Sequence, residues 1–104
     1  MNILITGATG YIGSALANKF LTKADQIICT YNKKPIDKIS EGIVWIHYDG
    51  TLNSLLKINQ KVDIIIHLAT FFTQKNTYDL IDSMISSNVI FGTHLLEYAK
   101  QNKI

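Results

Sequence analysis

The chain has 104 residues, 47% of them hydrophobic and 17% charged, and its ten lysines, lack of arginine and eight acidic groups leave a formal charge of +2. That length holds one compact domain, since domains take about 100 to 200 residues, and the apolar share with ten aromatic residues argues against disorder. Evenly spread charge without arginine leaves no footprint for nucleic acid, and apolar runs well short of roughly 20 residues leave no membrane span, so a soluble, cytoplasmic protein is expected.

In chain order, residues 2–6 (NILIT) read as a β-branched strand ending at Gly7. Residues 11–23 then read as a helix with Ile12, Leu16 and Phe20 on its inward face. Residues 26–31 (QIICTY) form a second strand, closed by Asn32, Lys33, Lys34 and Pro35. Cys29, the single cysteine, cannot form an internal disulfide and reads as a small core residue. Residues 43–48 (IVWIHY) make a third strand, residues 51–58 a short helix capped by Thr51, and residues 62–68 (VDIIIHL) a fourth strand. Near-continuous apolar strands indicate burial on both faces, as parallel sheets require.

A long helix is expected over residues 77–100, with Asn76 or Thr77 as N-cap, acidic Asp79 and Asp82 at its positive end and Lys100 at its negative end. Its inward stripe reads Ile81, Ile85, Asn88, Gly92, Leu95 and Ala99. Val89, Ile90 and Phe91 add a second apolar face, which fits either one wide core contact or a homodimer packed through this helix. Strands alternating with right-handed crossovers give an α/β fold, a parallel sheet of order 3-2-1-4. The sheet is expected to be incomplete, because a further strand would be due after Ile104 and the fourth strand is left as an exposed edge.

The main chemical signal is Gly7-Ala8-Thr9-Gly10-Tyr11-Ile12-Gly13, between the first strand and first helix. Gly7 suits the sharp turn, Gly10 the approach of backbone N–H groups to a pyrophosphate, and Gly13 close helix packing. The helix N-terminus supplies unpaired donors and a positive dipole for phosphates. Such a Rossmann-type domain, spanning residues 1–104, would bind a dinucleotide.

Thr6-Gly7-x-x-Gly10-x-x-Gly13, with Asp49, His67-Leu68-Ala69, Asn88-Val89 and Gly92-Thr93-x-Leu95-Leu96-Glu97, resembles the extended short-chain dehydrogenase/reductase superfamily of NAD(P)-dependent sugar-nucleotide epimerases, dehydratases and reductases. The resemblance runs along the whole chain. It implies that Asp49 and Gly50 lie beside the adenine and that Leu68, Ala69 and Thr70 line the ribose and pyrophosphate side, with a sugar nucleotide as substrate of an intact member. Asp49 also reads as the acceptor of an Asp-Gly turn before Thr51. His67 reads as a satisfied strand-end histidine, and no metal-ligand spacing surrounds it.

The end of the second strand carries no acid to bind a ribose 2′-hydroxyl, and lysines follow at once. NADP is therefore expected over NAD, with Asn32 and Lys33 as its 2′-phosphate contacts. The family's chemistry needs a Tyr-x-x-x-Lys pair. Four residues after Tyr11, Tyr31, Tyr48, Tyr78 and Tyr98 come Ala15, Pro35, Leu52, Asp82 and Asn102, so the chain holds no such pair and no catalytic residue. The expectation is the cofactor-binding part of such an enzyme, truncated before its catalytic pair and inactive alone; the alternative is a non-catalytic NAD(P)-binding sensor or interaction module. Asn88 is the candidate for a supporting role in the site. The family spacing places such an asparagine three residues before the Gly-Thr pair, whereas Asn88 precedes Gly92 by four. Either the helix bulges locally or Val89 takes the family position.

Overall fold

The structure, a computed structural model, describes residues 1–33, 42–70 and 78–104. Strand β1 (Asn2–Thr6) is apolar on both faces: Ile3 and Ile5 join one core cluster and Leu4 the other, all 4% exposed or less. It pairs in parallel with β2 (Gln26–Tyr31) on one side and β4 (Ile64–His67) on the other, while β2 pairs with β3 (Ile43–His47). The order is β3-β2-β1-β4, as the alternation of elements predicts. β3 ends one residue earlier than expected, and β4 spans Ile64–His67 rather than residues 62–68; the Tyr48 and Leu68 N–H groups still donate to the Tyr31 and Thr6 carbonyls beyond the strand ends.

Helix α1 (Tyr11–Phe20) covers one face, where Ala17 packs with Ile3, Ile5, Ile27 and Cys29. Its inward residues correct the expected stripe. Gly13 and Ala17 are buried and Leu16 and Phe20 half-buried, whereas Ile12 is 63% exposed. A helix this close to the sheet admits only small side chains along its line of contact, and Ile12, at its start, projects beside the loop instead. The other face holds Leu4 and Ile28 under Leu55 of α2 (Leu52–Leu56) and under the C-terminal helix. Thr51 caps α2 as expected, its Oγ1 accepting from the Ser54 N–H at 3.3 Å.

The predicted C-terminal helix exists but is not uniform. A 3-10 turn (Tyr78–Leu80) leads into α3 (Ile81–Ile85), a π-helical turn (Ser86–Ile90) and α4 (Phe91–Gln101). Its expected caps, Asn76 and Thr77, lie outside the described residues. The buried residues are Phe91, Leu95 and Tyr98, whereas Ile81 and Ile85 are nearly half exposed and Asn88 is exposed. A π-turn inserts one residue into the helical repeat. It therefore rotates the N-terminal half away from the face that α4 presents to the sheet. Gly92 is also not a close-packing position, since a Cβ there would meet only His67 Nε2, at an ordinary 3.8 Å.

Among the described residues β4 has β1 as its sole partner, and Ile64 at its start is 40% exposed. No helix among them is long and apolar enough to cross a membrane.

Cys29 is fully buried in β2, and burial pushes its thiol up to about 12 from 9.0. The native protein is expected to resist thiol reagents at pH 8 and to react at once in denaturant, as a chromogenic disulfide assay would show. Because the unfolded thiol ionises first, this residue's contribution to stability holds below about pH 9 and is lost as the pH rises further, which urea titrations across that range would record.

Candidate functional site

Three backbone segments meet above the C-terminal ends of β1 and β4. Gly7 has φ +73°, and a Cβ on it would lie 2.7 Å from both Ala69 N and Leu68 C. No L side chain fits there. Gly13 is tighter still, with a Cβ position 2.0 Å from the Gly7 carbonyl oxygen. Its close approach is thus to the Gly7 turn itself rather than to the strand. Gly10 N–H donates to Gly7 C=O at 3.0 Å and Gly10 C=O accepts from Ser14 N–H at 2.9 Å, which closes the turn and starts α1. Gly10 occupies the N-cap without a side chain to cap it, and no acid follows in the first turn. The first N–H groups of a ten-residue helix are left facing outward with a positive dipole end.

They face a cleft of about 720 Å³, the size range of small-molecule sites. Its walls contain Gly7, Thr9, Gly10, Tyr11, Ile12 and Gly13 of the loop, Asn32 after β2, Asp49 and Gly50 after β3, and Leu68, Ala69 and Thr70 after β4. Every residue expected from the sequence to bind a dinucleotide is on this wall except Lys33, which is exposed on the loop next to Asn32.

Thr6 holds the β4 side of the cleft in place. Its fully buried hydroxyl oxygen accepts from Leu68 N–H and Ala69 N–H, both at 3.1 Å. With both lone pairs used, the hydroxyl proton goes to His67 Nδ1, 2.6 Å away. That fixes neutral His67 with its proton on Nε2. Burial holds its pKa below the usual imidazole value, and its ring sits edge-on to Phe91 at 5.2 Å. His67 is a satisfied strand-end residue. Among the described residues no three potential ligands gather to hold a metal.

Asp49 accepts from both Thr51 N–H, at 2.9 Å, and the Thr51 hydroxyl. These bonds, foremost the hydroxyl, hold the carboxyl below the usual carboxylate range. The carboxylate therefore builds the Asp-Gly turn while standing on the cleft wall. Beside it, Tyr48 stacks on Phe91 at 3.8 Å and its hydroxyl is hydrogen-bonded with His94 Nδ1 at 2.9 Å; burial, with Asp49 nearby, raises its phenol pKa. Asn88 does not line this cleft, but its Oδ1 accepts from the hydroxyl of Thr70, which does, at 2.8 Å. The π-turn that contains Asn88 is a local bulge, one of the two alternatives that the Asn88 to Gly92 spacing left open.

Sequence reasoning missed Thr30, Tyr31, Tyr48, Ser86, Ser87, Ile90 and Phe91, which also line the cleft. Their signal was weak: Tyr48 and Phe91 looked like ordinary core, and the serines are placed by the π-turn.

A model of the NAD dependent epimerase/dehydratase family matches residues 3–104. The chain is 32% identical to a dTDP-D-glucose 4,6-dehydratase of Dictyostelium discoideum over 98% of its own length and 26% of the relative's. It is 29% identical to a CDP-abequose synthase of Salmonella muenchen over 91% of its own length and 32% of the relative's. It thus spans about a quarter to a third of these curated relatives. Among solved structures it superposes on a UDP-glucose 4-epimerase with a TM-score of 0.86, at 23% identity, covering 100% of this chain and 33% of that one. The uronate dehydrogenase of Agrobacterium tumefaciens, in a structure complexed with NAD, gives 0.79 at 20% identity, covering 98% and 37%.

Thr6→Val keeps the shape but leaves Ala69 N–H without its acceptor and Leu68 N–H with one fewer. The expected loss of stability is about 2 kcal/mol, read from the urea midpoint, with Thr6→Ser restoring most of it. Gly13→Ala is expected to cost more than Gly10→Ala in the same measurement, since its Cβ meets rigid backbone at 2.0 Å rather than 3.3 Å.

Proposed function

This chain belongs to the NAD dependent epimerase/dehydratase family, and on that premise we propose that residues 1–104 form the NAD(P)-binding domain of a sugar-nucleotide epimerase, dehydratase or reductase. One observation carries the reading: an α1 N-terminus with no side-chain cap and no first-turn acid opens into a cleft directly after β1. Backbone donors and a helix dipole at that point suit a pyrophosphate. Gly7, Thr9, Gly10, Tyr11, Ile12 and Gly13 would enclose it, Asp49 and Gly50 would flank the adenine, and Leu68, Ala69 and Thr70 would lie along the ribose toward the nicotinamide. When bound, the dinucleotide supplies hydride chemistry; the chain's own residues bind and orient it. Asn88, by holding Thr70, would support that side.

NADP is the proposed cofactor, because the β2 end offers Asn32 and Lys33 and no acid to receive a 2′-hydroxyl. A second reading is a non-catalytic NAD(P)-binding sensor or interaction module. Assaying the chain with NADP and nucleotide sugars separates binding from turnover, and the expectation is binding alone. Calorimetric titration is expected to give NADP about tenfold tighter binding than NAD, the scale of one charge-assisted hydrogen bond. Clearly tighter NAD would overturn the NADP assignment, and no binding of either would overturn the whole reading.

A further inference from the structure

The end of β2 is held from β3 by two hydrogen bonds of different kinds. Tyr48 N–H donates to Tyr31 C=O at 2.9 Å, which continues the sheet's backbone pairing. One residue further on, His47 Nε2 lies 3.1 Å from the Asn32 carbonyl oxygen. A carbonyl can only accept, so Nε2 carries the proton and donates. A side chain thus does for Asn32 what a backbone N–H does for Tyr31. The ring is set for this by its own surroundings: His47 stands opposite Tyr31 in the parallel register, and the two rings lie 5.2 Å apart at 35°.

Asn32 is on the cleft wall and Lys33 follows it, so the carbonyl that His47 grips belongs to the peptide joining the two residues assigned to the adenosine 2′ position. On the opposite side of the same rim stands Asp49, two residues beyond His47. His47 therefore joins the β2 and β3 ends at the adenosine end of the cleft without itself lining it.

We propose that His47 is a positioning residue for cofactor selectivity: its Nε2–H fixes the Asn32 carbonyl and so sets Asn32 and Lys33 for the adenosine 2′-phosphate. This rests on the assignment of Asn32 and Lys33 made above. The exposed ring contributes little to the core, so its role lies in where the loop sits.

The test titrates NADP and NAD into the chain and its His47→Ala, His47→Gln and Lys33→Ala variants, with thermal melts alongside. His47→Ala is expected to weaken NADP about three- to tenfold, the effect of one hydrogen bond, while NAD changes far less. His47→Gln, whose amide nitrogen reaches about the same point and can donate, is expected to recover most of the loss. Equal weakening of both nucleotides, an unchanged NADP to NAD ratio, or a well-folded His47→Gln that recovers nothing would overturn the proposal. If Lys33→Ala leaves the ratio unmoved while His47→Ala shifts it, the Lys33 assignment fails and the positioning role of His47 stands.

Discussion

The organisation of this molecule depends on backbone approaching backbone where no side chain fits. Gly13 sits against the Gly7 carbonyl, and Gly7 sits against the Leu68 and Ala69 peptide. That contact brings the start of α1, the end of β1 and the end of β4 to one point. Bare contact of this kind is adhesive only if the polar groups it buries are satisfied. The Thr6 hydroxyl does this, accepting from two N–H groups and donating a hydrogen bond to His67 Nδ1. The cleft is therefore held rigid on its β4 side by a side chain that does not face it.

The opposite wall follows a different logic. Asp49, Tyr48 and Phe91 are fixed by turn geometry and ring stacking, and the π-turn swings Ser86, Ser87 and Ile90 toward the cleft. π-turns are costly irregularities that often accompany functional sites. Here the turn has a visible consequence, since it places Asn88 where it can accept from Thr70 and so links the helix to the β4 loop. It also turns the apolar residues of α3 away from the core, leaving Ile81 and Ile85 nearly half exposed.

Family membership and chemistry thus sit at different levels. The glycine loop, the cleft and the parallel sheet are the parts proposed to bind a dinucleotide, and the chain that holds them spans about a quarter to a third of the length of the curated relatives. Binding and orienting a cofactor need only backbone donors and a few positioned polar groups. Proton transfer needs in addition a titratable group within reach of the substrate.

The sequence by itself determined the strand order and the glycine loop, and it put almost every expected binding residue on the wall of one cleft. Those features rest on local rules: apolar runs, turn residues and the right-handed crossover. For the helix around Asn88 it left two alternatives, a local bulge or a shift of the family position to Val89, and the structure shows a π-turn over Ser86–Ile90. Only the tertiary structure decided which helix faces turn inward. Ile12 and Ile85 satisfy the helical period as well as Ala17 and Tyr98 do, but periodicity cannot say how close a helix lies to its sheet or how far an inserted residue rotates it. Nor could it show that His47 grips Asn32 or that Thr6 grips Ala69, because those bonds join residues 15 and 63 positions apart, and such distances close only when the sheet has formed.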